Sequence, residues 1–95
     1  MTDNELLAKI KTGLGIRGDY QDETLKFFID DTKAYMISAG VKKEIVDSEL
    51  SVGCIMRGVS DLWNYGSGGV KFSDYFYQRV IQLSMEKSEG GSDNA

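Results

Sequence analysis

The sequence predicts an all-α fold: a small bundle of about four helices, with a flexible glycine-rich loop before the last helix and a disordered C-terminal tail. Three observations carry this. Apolar residues recur at three- and four-residue intervals over long segments, which places them on one face of a helix, and nowhere alternate as in a strand. Proline is absent, so punctuation falls to glycine, and Gly13, Gly15, Gly18, Gly40 and Gly66 stand where helical patterns end. The 95 residues, 41 % hydrophobic and 27 % charged, suit one globular domain with a single modest core. We divide the chain into a helical domain over residues 1–87 and a tail over 88–95.

The first helix is expected from Asp3 to Thr12. Thr2 and Glu5 have the spacing of a capping box, in which hydroxyl and carboxylate satisfy each other's exposed amides. Its apolar face is Leu7 and Ile10, with Leu6 beside them and Leu14 just past its end. The second, Gln21 to Ala39, has the clearest period: Leu25, Phe28, Ile29, Thr32, Tyr35, Met36 and Ala39. Asp19, Asp22 and Glu23 suit its electropositive start, and Gly40 suits its end.

The third, Ser48 to Tyr65, gathers Val52, Ile55, Met56, Val59, Leu62 and Trp63 on one face. Its two internal glycines, Gly53 and Gly58, each cost about 1 kcal/mol relative to alanine, so close packing is expected at both. The fourth, Asp74 to Lys87, starts at Ser73 as N-cap, with Phe72 packing on Tyr77 as a hydrophobic staple. Phe76, Val80 and Leu83 form one edge of its apolar arc, and Tyr77 and Ile81 the other. That arc is wider than one neighbouring helix requires. From Ser88 to Asn94 the chain has nothing apolar to bury, which predicts disorder.

Composition excludes several functions. The net charge of -4, with basic residues scattered along the chain, argues against a general nucleic-acid binder, since phosphate neutralisation needs clustered Lys and Arg. With no histidine and only Cys54, the chain lacks the usual base for a Ser or Cys nucleophile, a plausible zinc site and an internal disulfide. Asp30 and Asp31 are adjacent on a helix and diverge, so they do not form an acid–base pair. We therefore expect neither an enzyme nor a cofactor, and Cys54 reads as a small buried hydrophobe.

The acidic N-terminus and the lack of any long apolar run predict no signal peptide and no membrane span. The stretch Gly66-Ser67-Gly68-Gly69-Val70-Lys71 has the glycine content of a phosphate-binding loop but not its G-x-x-x-x-G-K-[ST] order. Tyr75 falls on the opposite side of the last helix from Val80, beside Gln78 and Gln82, and is the aromatic best placed to meet another chain.

The layout of "DETLKFFIDDTKAYMISAG" (Asp22 to Gly40), "VGCIMRGVSDLWNYG" (Val52 to Gly66) and "FSDYFYQRVIQLS" (Phe72 to Ser84) resembles the head-to-tail connector, or adaptor, family of tailed double-stranded DNA phages. The resemblance runs from about Glu5 to Ser84 and is one of layout, not of catalytic residues. It implies a virion neck protein that assembles in the host cytoplasm into a ring, generally a dodecamer. The ring would sit under the portal protein, extend the channel through which DNA passes without sequence-specific binding, and dock a stopper or tail-completion protein.

Carried onto this chain, the resemblance makes Phe72 to Ser84, with Arg79, the portal-side or intersubunit element. It makes Gly66, Ser67, Gly68, Gly69, Val70 and Lys71 the loop that adapts to neighbours; the glycine content itself suggests that Ser67 to Lys71 is a hinge about which the last helix can swing. The candidate contact residues are thus Gly66 to Phe72, Tyr75 and Arg79. The alternative is a small helical DNA-binding or DNA-packaging accessory protein, for which Lys42-Lys43 would be a poor recognition element.

Overall fold

The computed structural model describes residues 1–65 and 72–86, Tyr65 by its backbone alone. The predicted glycine-rich loop, Gly66 to Lys71, and the predicted tail lie outside the described residues. Five α-helices follow in order: α1 (Asp3–Leu14), α2 (Asp22–Ser38), α3 (Lys43–Val46), α4 (Val52–Tyr65) and α5 (Asp74–Ser84), with a 3-10 turn at Glu49–Ser51. The described residues contain no strand, and none of their helices is long and apolar enough to cross a membrane.

The start of α1 is the predicted capping box: Glu5 N–H donates to Thr2 Oγ1 at 3.1 Å, and Thr2 N–H donates to Glu5 Oε1 at 2.9 Å. That backbone hydrogen bond from Thr2 holds the Glu5 carboxyl below the usual carboxylate range. The helix runs on past Thr12, because Gly13 stays helical and the left-handed residue that ends it is Gly15, at φ 73°. A salt bridge from Lys11 Nζ to Asp22 Oδ1, 2.7 Å, then fastens the end of α1 to the start of α2.

α2 buries Leu25, Ile29, Thr32 and Met36, the predicted stripe, while Phe28 and Tyr35 are half-buried at its edges and Ala39, now the C-cap, is exposed. Gly40 follows at φ 105°, a conformation that favours glycine. The chain then makes an element the periodicity did not announce. α3 is a single turn that drives Ile45 and Val46 into the core beside Val41.

The predicted third helix is two elements. Ser48 caps the 3-10 turn, its hydroxyl accepting from Leu50 N–H at 3.2 Å, and α4 begins only at Val52. Ser51, fully buried, donates its hydroxyl to the Val46 carbonyl and so joins α3 to the turn. α4 contacts α1, α2 and α5, and it buries Cys54, Ile55, Val59 and Leu62, with Val52, Met56 and Trp63 at the core's margin. Trp63 therefore packs on the core from its edge, meeting Phe28 edge-to-face at 6.4 Å.

The two glycines of α4 differ. A Cβ on Gly58 would stand 2.6 Å from Thr32 Cγ2 and 2.8 Å from Phe76 Cε1, so α2 and α5 close on α4 at this point. At Gly53 a Cβ would meet nothing within 4 Å, and the expectation of close packing there is wrong.

α5 begins as predicted, with Ser73 Oγ accepting from Phe76 N–H at 3.2 Å and Phe72 edge-on to Tyr77 at 6.2 Å. It buries Phe76, Val80 and Leu83. It ends at Ser84 rather than Lys87: Met85 and Glu86 donate to the Gln82 and Leu83 carbonyls in a tightened last turn, and Lys42 Nζ donates to the Glu86 carbonyl at 3.2 Å. Ile81, expected on the buried arc, is 58 % exposed. The buried arc is narrower than its apolar composition suggested.

Beside Gly58, the Thr32 hydroxyl is fully buried with no hydrogen-bond partner among the described residues. A buried polar atom without a partner opposes folding, so Thr32→Val, which keeps the shape, is expected to stabilise the protein by about 1 kcal/mol. A higher urea midpoint at unchanged slope would show this; a lower one would reveal a partner for the hydroxyl.

Candidate interaction surface

Of the predicted contact residues, the structure brings Tyr75 and Arg79 together and separates Phe72 from them. Phe72 stacks on Phe76 at 4.2 Å and lies 5.3 Å from the Tyr35 ring, so it belongs to an aromatic cluster between α5 and α2. Its part is to set the entry of α5. Gly66 to Lys71, the other predicted contact residues, lie outside the described residues.

Tyr75 and Arg79 stand one helical turn apart on α5, where Tyr75 is 63 % exposed. With Gln78, Gln82 and Gly53 they line an open groove of about 480 Å³ between α5 and α4. The absence of a side chain at Gly53 leaves its floor low. A second hollow of about 280 Å³, lined by Gly13, Leu14, Met56, Arg57 and Ser60, continues it toward α1 and shares Gly53 and Tyr75.

Arg57 lies over the Tyr75 ring, its Cζ 5.5 Å from the centroid, a distance at which the guanidinium and the ring face attract each other. Arg79 Nη1 donates to Gln82 Oε1 at 2.9 Å. Among the described residues neither arginine is in a salt bridge; the four that occur use lysines, at Glu49, Asp22, Asp3 and Asp47. The surface therefore presents two guanidiniums around an exposed phenol. That chemistry suits carboxylates and aromatic or polar contacts from another chain.

Two residues that matter here escaped the sequence reading. Arg57 was hidden because its meeting with Tyr75 depends on how α4 crosses α5, for which the sequence holds no local signal. Asp61 is 4 % exposed and accepts the Ser73 backbone N–H at 2.9 Å, tying α4 directly to the entrance of α5. A lone carboxylate in an apolar helix could have been flagged, but its partner could not.

Arg79 also bears on the single thiol. Burial pushes the Cys54 thiol from 9.0 up to about 11, with the positive charge of Arg79 opposing the shift. The folded state thus holds its proton where the unfolded chain releases it, so this group's contribution to stability is complete below about pH 9 and is lost as the pH rises toward 11. Native protein is expected to resist iodoacetamide at neutral pH and to react only as it unfolds in urea. Rapid labelling of the native chain would contradict the buried placement. Comparisons with protein-family models, with curated proteins and with solved structures return no match.

Proposed function

We propose that this chain is a structural head-to-tail connector of a tailed double-stranded DNA phage, built into the virion neck as a ring under the portal. The observation that supports this best is the layout that resembles the family: two long amphipathic helices, here α2 and α4, followed by the aromatic, Ser-capped α5. In this reading the ring, generally dodecameric, extends the DNA channel and offers a platform to the stopper or tail-completion protein. The Tyr75–Arg79 side of α5 is a subunit or portal contact, and Gly66 to Lys71 adapt to neighbours.

An acidic chain suits such a conduit, because a repelling wall leaves the duplex free to slide. The DNA-binding alternative gains no support from Lys42 and Lys43: Lys42 is engaged with the Glu86 carbonyl and Lys43 with Asp47 at 2.9 Å. Native mass spectrometry and negative-stain imaging of the pure protein, alone and with portal, test the proposal. Rings or a portal complex would support it, and a chain that stays an inert monomer in both conditions would sink it.

A further inference from the structure

We propose that the groove of Arg57, Tyr75 and Arg79 receives the outer face of α2 from a second copy of this chain. This deepens the self-association in the connector reading, and rests on it, by naming the two faces that meet. Its basis is a complementarity built into opposite sides of one helix pair.

At about 100° per residue, α2 turns Leu25, Ile29, Thr32 and Met36 inward, which leaves Glu23, Phe27, Asp30 and Ala34 in a line on the far side. All four are exposed, Phe27 by 67 %, and Asp31 flanks them. The same geometry on α4 turns Ile55, Gly58 and Leu62 toward the core and puts Gly53, Arg57 and Ser60 opposite. α2 and α4 pack on each other, so the acidic face of one and the basic groove beside the other look away from each other.

Neither face can satisfy the other within one molecule. Between two copies they match: Asp30 and Asp31 meet Arg57 and Arg79, Phe27 meets the phenol of Tyr75, and the small Ala34 leaves room over the low floor at Gly53. Lys26 beside the acidic face and Asp74 beside the groove oppose the match, yet each side keeps its excess of charge. Because the two faces differ, each copy gives one and takes one. Such a contact is head-to-tail and closes into a ring or runs on as a filament.

The test uses two charge-reversed full-length chains: Arg57→Glu with Arg79→Glu, and Asp30→Lys with Asp31→Lys. Sedimentation equilibrium at low salt should show wild type associating, with the association weakening as salt screens the pairs. Each reversed chain alone sets like charges against each other, so its self-association should be weaker by on the order of 10- to 100-fold. An equimolar mixture restores both contacts at once, and its affinity should return to near wild type.

Since Arg79 is half-buried, Arg57→Glu alone serves as a second groove variant, with far-ultraviolet circular dichroism to confirm that each chain is folded. A mixture no stronger than its components, or a wild type that stays monomeric at low salt, would overturn the inference. If the reversed chains still form rings on the portal, these faces are wrong while the connector reading stands.

Discussion

Phe76→Ala is expected to cost about 3–5 kcal/mol, for Phe76 is the bulkiest fully buried side chain among the described residues. Phe76 is fully buried, and its ring lies 4.2 Å from Phe72, 5.8 Å from Tyr35 and 5.9 Å from Tyr77. Truncation removes the anchor of the cluster by which α5 holds to α2 and α4, and those rings cannot all collapse into the space because Tyr35 and Phe72 are tied to separate elements. Small domains have only about 5–15 kcal/mol in total, so the variant should be close to half unfolded in mild denaturant. Urea titration followed by circular dichroism measures it. A loss below about 1 kcal/mol would mean that α5 contributes little to the fold.

The second large effect is a pair of opposite sign from one chemical change. Gly58→Ala gains about 1 kcal/mol of helix propensity, but the added methyl collides with a β-branched Thr32 and with the Phe76 ring, neither of which has a flexible end to swing aside. Overpacking of this kind typically costs about 1–3 kcal/mol and occasionally more, and with two immovable neighbours we expect a net loss of about 2 kcal/mol. Gly53→Ala meets open space, and should instead stabilise by up to about 1 kcal/mol. Adding Thr32→Ser to Gly58→Ala removes the colliding methyl and should recover part of the loss, a coupling that a double-mutant cycle would show. If both alanines stabilised equally, the close approach at Gly58 would be wrong.

That pair also shows where sequence reading stops. Both glycines interrupt the same apolar helix, and nothing local distinguishes them; only the rotation of α4 against α2 and α5 does. The period of α2 was legible because many positions vote for one face, and the start of α5 because Ser73 and Phe72 are local signals with local partners. α3 was not legible, since four residues are too few to carry a period and Lys43 opens it without a side-chain cap. The Ser48 cap was real but belonged to a 3-10 turn, which uses the same residue chemistry as a helix start.

The interaction surface divides in the same way. Tyr75 and Arg79 share a face by helical spacing, and the exposure of Tyr75 followed from Gln78 and Gln82 beside it, while Arg79 is half-buried. Arg57 joins them from α4, 18 positions before Tyr75, and such a meeting is a property of tertiary packing. Phe72 was drawn into the predicted contact set as the first residue of the segment that the resemblance makes a portal-side or intersubunit element, whereas its ring stacks inward.

The seclusion of Cys54 has a practical consequence. A chain whose single native thiol is closed to reagents is already a one-handle scaffold, so a cysteine introduced at an exposed position takes a fluorophore or spin label alone, with no need to delete the native residue from the core. Labels at Asp19 and at Glu44, both exposed and outside the two contact faces, would then report, by energy transfer between copies, how neighbouring subunits are placed as they assemble.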